Sequence, residues 1–149
     1  MLRPAYETQE QRDQEKKFIE KLSDKWNVSA FKLPLHYSLD YLLIRTSSGK
    51  AKAWVELKAR KNEMGAYPDY MISFYKILSA KQLSMASGLP SFLAVQWRDC
   101  AAALRMDDLE DFLLTTGGRK DRNDNSDIEP VALISLQHFT HKLWEGNYK

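Results

Sequence analysis

Residues 41–44 are continuously apolar, residues 53–59 alternate, and Ser47, Ser48, Gly49 and Lys50 stand between them. Turn residues between two such runs predict an antiparallel β-hairpin, in which side chains alternate between two faces. If Gly49 takes the left-handed position of a three-residue turn centred on Ser48, Asp40 and Glu56 are equidistant from that centre and fall opposite one another. A two-residue turn shifts this by one position. Opposed residues have Cβ atoms about 4.5–5.5 Å apart, close enough for two carboxylates to share one cation. Trp54, Glu56, Lys58 and Arg60 then lie on one face.

The rest of the chain builds around this hairpin. At 149 residues it is long enough for one domain with a real core. Residues 6–26 carry Phe18, Ile19, Leu22 and Trp26 at helical spacing. Residues 28–35 read as a short strand reaching Pro34, and 62–69, with Gly65 and Pro68, as a loop. Residues 77–86 have helical spacing and stop at Gly88 and Pro90, and 91–97 form a buried strand. Beyond them, 101–106 predict a strand, 109–114 a short helix, 117–127 a charged loop and 131–136 a last strand. Helix, three strands, helix and strand make a mixed α/β (α+β) domain, a central sheet flanked by helices.

Charge and composition remove several classes. The chain is 44% hydrophobic and 28% charged, with a net charge of +2. A histone-like binder is excluded, whereas an enzyme with local basic patches is not. Cys100 is the only cysteine, so there is no intrachain disulfide, CxxC pair or Cys-rich zinc cluster. No apolar run is long enough for a signal peptide or a membrane span, which points to the cytoplasm. GxSxG, HExxH, GxGxxG and the phosphate-binding GxxxxGK[ST] are all missing. Between Arg45 and Lys61 the local charge is +5, while Asp107, Asp108, Glu110 and Asp111 gather −4, which places them away from any polyanion or in a subunit contact.

Two adjacent acids repel, and a divalent cation with hard oxygen ligands, Mg²⁺ or Mn²⁺, offsets that repulsion. A neighbouring lysine can orient an attacking water or neutralise charge on a phosphate. These are the needs of phosphodiester hydrolysis. Lys50, Lys52, Arg60, Lys61 and Lys81 are candidates to grip phosphates on either side of the scissile bond. At 100° per residue, Glu15 falls within about 60° of Phe18, Ile19, Leu22 and Trp26, so it is the helix acid facing the sheet.

These residues resemble the PD-(D/E)xK nuclease superfamily. Asp40 matches its first acid, with Leu39 where proline is usual, and Glu56-Leu57-Lys58 matches the ExK element. Glu15-Lys16-Lys17-Phe18-Ile19 is similar to the metal-site glutamate region of Holliday junction resolvases, and Lys81-Gln82-Leu83 to the helix after their ExK element. The resemblance implies a restriction-endonuclease-like fold and a metal-dependent DNA endonuclease, resolvase-like and acting on branched DNA as a homodimer. Asp40, Glu56 and the Leu57 carbonyl then hold Mg²⁺ or Mn²⁺, Glu15 completes the acidic site, Lys58 positions the water, and Gln82 lies near the phosphate or water. The nuclease-like core covers about residues 15–97 of the single domain 1–149, and about 98–149 form a C-terminal appendage.

The same residues also permit blander readings. Asp40, Glu56 and Lys58 can be an exposed hairpin ion pair, and the chain a catalytically inactive nuclease-fold module that binds nucleic acid or a protein partner. His36 precedes Asp40 by four residues as a relay or a plain loop histidine, and His138 with His141 lack a third ligand. Tyr67, Tyr70, Phe74 and Tyr75 either stack on splayed bases or pack beneath the second helix.

Overall fold

The structure, a computed structural model, describes residues 8–117 and 128–146. Helix α1 (Gln9–Trp26) opens on a capping box, the Thr8 hydroxyl accepting from the Gln11 N–H and the Gln11 side chain from the Thr8 N–H. It closes on Asn27, in the left-handed conformation (φ 58°) that asparagine tolerates, with its N–H donated to the Ser23 carbonyl. Thr8→Ala is expected to cost about 0.5–2 kcal/mol, seen as a lower urea midpoint at an unchanged slope.

The strands are β1 (Val28–Lys32), β2 (Tyr41–Arg45), β3 (Ala51–Ala59), β4 (Asp69–Ser73), β5 (Ser91–Gln96), β6 (Cys100–Arg105), β7 (Leu113–Gly117), β8 (Glu129–Ser135) and β9 (His141–Glu145). Helix α2 (Phe74–Ser87) lies between β4 and β5. The six-stranded sheet has the order β1-β2-β3-β5-β6-β9, and its β3–β5 pair is parallel, as a crossover through α2 requires. Its other pairs are antiparallel, which makes the sheet mixed. A second sheet, β4-β8-β7, is antiparallel throughout.

Alternation along β3 divides the core. Ala53, Val55 and Leu57 pack with Phe18, Ile19 and Leu22 of α1. On the other face, Ile77 and Ala80 of α2 pack with Leu93, Val95 and the Ile72 and Ile134 side chains of the small sheet. Glu56 and Lys58 therefore belong to the α2 face. This is the expected architecture, a central mixed sheet flanked by helices.

Several local expectations give way. Residues 109–114 do not form a helix: Leu113 and Leu114 start β7, which continues through the β-branched Thr115 and Thr116 and pairs with β8. Gly117 ends that strand where a Cβ would come within 3.0 Å of a Val131 methyl. The remainder of the expected loop, 118–127, lies outside the described residues. Strand β4 starts at Asp69, the last residue expected as loop, and runs on through 70–73, where no element was expected; β9 was not foreseen either. The stretch after residue 97 supplies β6 and β9 to the central sheet. No helix among the described residues is long and apolar enough to cross a membrane.

Candidate active site

The β2–β3 hairpin sets the register of the site. Its turn is longer than expected: Arg45 donates to the Lys50 carbonyl across Thr46, Ser47, Ser48 and Gly49, with Gly49 left-handed at φ 73°. A bulge between Leu43 and Ile44 offsets the change, so that Leu43 meets Ala53, Leu42 meets Trp54 and Tyr41 meets Val55. Continuing this register puts Asp40 opposite Glu56. Leu39, where the superfamily usually has proline, is 1% exposed and anchors the approach to Asp40 in the α2-side core.

The Asp40 carboxylate accepts the Leu57 N–H at 2.8 Å, tying the first acid to the ExK strand. Glu56 is 1% exposed. Its Oε2 lies 3.6 Å from the Lys58 ammonium and 3.3 Å from that of Lys76, and its Oε1 is buried without a hydrogen-bond partner. Burial, and then the Asp40 carboxylate, push the Glu56 carboxyl up to about 7 against the downward pull of Lys76 and Lys58. A buried acid with an unsatisfied oxygen beside a second acid fits a hard divalent cation, which would satisfy that oxygen and offset the repulsion.

Lys76 was not singled out in the sequence. It lies in the first turn of α2, where its ammonium also donates to the Ser38 carbonyl at 2.9 Å. It therefore joins the helix, the loop before Asp40 and Glu56. Gln82 is exposed on the same helix, and about 120° of helical rotation separates it from Lys76. Lys81 donates to the Asp107 carbonyl at 3.2 Å.

Glu15 faces the sheet as expected but does not join Asp40 and Glu56. Its Oε2 accepts from the Tyr41 hydroxyl at 2.8 Å and meets the Lys32 ammonium at 2.6 Å, with Tyr41 packed in the α1-side core. Among the described residues, no three His, Cys, Asp or Glu side chains gather as a metal cluster.

The basic candidates flank Glu56 along β3. Lys52 and Arg60 each lie four residues away, about 13 Å along the strand. Lys50 and Lys61 are exposed just beyond them. The −4 segment is partly structural, since Asp107 takes a bidentate bond from Arg105 and the Ser91 N–H. His138 approaches Asp111 at 3.4 Å, and His141 sits on β9 against Phe92, not on a shared helix. Tyr70 is buried, whereas Tyr67 and Tyr75 are exposed.

Comparison with known proteins accords with this geometry. No curated protein matches the sequence. Hjc, a Holliday junction resolvase from the archaeal hyperthermophile Archaeoglobus fulgidus, has a similar fold, with a TM-score of 0.52 at 14% identity over 88% of this chain and 89% of that one. A family model described as "Phage putative PDDEXK endonuclease" matches residues 1–142, well past Trp97. The chain belongs to that phage PDDEXK endonuclease family and has an Hjc-like restriction-endonuclease fold.

Proposed function

We propose that this chain is a divalent-metal-dependent DNA endonuclease that cuts branched DNA. The observation that carries the reading is Glu56: an acid 1% exposed, with one oxygen unsatisfied, register-paired with Asp40 and flanked by two lysines. A structural ion pair at a surface hairpin has no need of that burial.

Asp40, Glu56 and the Leu57 carbonyl would hold Mg²⁺ or Mn²⁺. When bound, the ion polarises a phosphoryl oxygen and makes its water more acidic. Lys58, its side chain 38% exposed, faces outward from Glu56 and orients the attacking water or neutralises charge growing on the phosphate. Glu15 completes the acid set only by leaving Tyr41 and Lys32, and Gln82 reaches the phosphate only from its exposed face of α2. Lys52 on one side of Glu56 and Arg60 on the other bind the strand about 13 Å from the acids, roughly four nucleotides of stacked DNA, and Lys50 and Lys61 extend the grip just beyond them.

Resolution of a four-way junction needs two cuts, so the active form in this reading is a homodimer with one site per chain. The free thiol of Cys100, pushed up to about 11 by burial and then by the Asp99 charge, suits the reducing cytoplasm.

The test is cleavage of four-way, single-stranded and duplex DNA in Mg²⁺, Mn²⁺ or EDTA, alongside Asp40→Asn and Lys58→Ala. Metal-dependent cutting, strongest on the junction and lost in both variants, is expected. Cleavage that persists unchanged in both variants overturns the site, and no cleavage of any substrate overturns the enzyme.

A further inference from the structure

Beyond Arg60 the α2 face of β3 opens into a cleft of about 430 Å³, between the ends of β3 and β5 and the start of β4. Such a volume lies within the range of roughly 300–1,000 Å³ typical of small-ligand sites. Its walls include Arg60, Met64, Tyr67, Asp69, Tyr70 and Trp97. We propose that this cleft receives an unstacked nucleobase from the strand being cut, with Tyr67 as its stacking surface, so that the site selects DNA bearing unpaired nucleotides.

Four observations favour a base. First, the cleft continues the catalytic face: Arg60 follows Glu56 and Lys58 at intervals of two residues, about 7 Å per step. A strand whose phosphate lies at Glu56 brings a nearby nucleotide to Arg60 within about 13 Å. Second, Tyr67 is 63% exposed and free to meet a planar ring, while the Arg60 guanidinium is held over the Tyr70 ring at 4.9 Å.

Third, the Tyr70 hydroxyl is buried and has no hydrogen-bond partner. Burial holds this phenol well above its ordinary range, so the side chain on the cleft wall stays uncharged. Fourth, Asp69 on the wall repels a phosphate but accepts from a ring N–H, such as N3–H of thymine, or from an exocyclic amine. The combination of one carboxylate with uncharged aromatic and apolar walls matches the edge and faces of an uncharged heterocycle. The strand's phosphates stay outside with Arg60 and Lys61.

The inference takes its choice of ligand from the DNA-cleaving reading, but its test needs no cleavage. The full chain in EDTA is titrated by fluorescence anisotropy with labelled dT20 and with an abasic 20-mer of equal charge. The stacking of one base predicts about 5- to 150-fold tighter binding of dT20. Tyr67→Ala brings dT20 down to the abasic value and leaves abasic binding unchanged, whereas Tyr67→Phe keeps the difference. Equal binding of the two strands, no binding of either, or a preference that survives Tyr67→Ala overturns the pocket. Base-dependent binding by a chain that cuts no DNA in Mg²⁺ keeps the pocket and overturns the nuclease; cutting without base-dependent binding does the reverse.

Discussion

Glu56→Gln is expected to give a protein that is more stable without metal at pH 8 and does not cut DNA. In the fold, burial and Asp40 raise this carboxyl from 4.5 to about 7. Between those values the folded chain binds more protons than the unfolded one, so the stability associated with Glu56 is full below about pH 4.5 and falls as pH rises through 7. At roughly 1.4 kcal/mol per pH unit, ionising it in place costs about 3 kcal/mol above that window. Glutamine has the same shape and no charge. Lys58 and Lys76 lose their counter-charge in the variant, but their side chains are 38% and 24% exposed and water can take up part of that loss. The net gain is therefore about 1–2 kcal/mol at pH 8, a rise in melting temperature of a few degrees. It disappears near pH 5, where the wild-type carboxyl is protonated. Added Mn²⁺ raises the melting temperature of the wild type and not that of the variant. Cleavage falls by at least about 10²–10³-fold. Equal melting at pH 8, or cleavage within a few-fold of wild type, contradicts this account of Glu56.

The pairing of Asp40 with Glu56 was legible because it depends on local alternation and on a turn marked by glycine. It survived an error in the turn: the loop is one residue longer than a three-residue turn, and the bulge between Leu43 and Ile44 takes up that residue. The α1 contacts of Phe18, Ile19 and Leu22 were legible for the same reason, since helical periodicity is local. The small sheet was not. β4 is five residues long and lies directly against α2, and its partner β8 is some sixty residues further on. Its alternation of exposed Asp69 and Met71 with buried Tyr70 and Ile72 is too short to stand out beside Pro68. Lys76 was hidden for a related reason. Helix spacing places a lysine on a face, but only the docking of α2 on β3 brings its first turn to Glu56. Gln82, chosen by resemblance, points elsewhere because the helix presents Lys76, Ile77 and Ala80 to the sheet.

Lys76→Met separates the contribution of this second lysine from that of Lys58. The Lys76 ammonium joins Glu56 Oε2 at 3.3 Å and the Ser38 carbonyl at 2.9 Å, so it both favours the ionised acid and braces the loop that carries Asp40. Its removal deletes one of the two attractions that draw the Glu56 carboxyl down, and that carboxyl climbs further above 7. With partial solvent screening the climb is about one pH unit. The acid limb of the cleavage profile should move up by the same amount, so that activity at pH 6.5 falls about tenfold and recovers by pH 9. A purely structural loss lowers the profile at every pH and leaves its limb in place. Calorimetry of Mn²⁺ binding in buffers of different ionisation enthalpy supplies a second reading. At pH 7.5 the variant, with its Glu56 carboxyl higher, releases more protons on binding Mn²⁺ than the wild type does. Lys76→Arg, which keeps the charge, should return the limb most of the way to its wild-type position. A limb that stays in place in Lys76→Met, with proton release unchanged, assigns control of Glu56 to Lys58 alone and leaves Lys76 as a tie between α2 and Ser38.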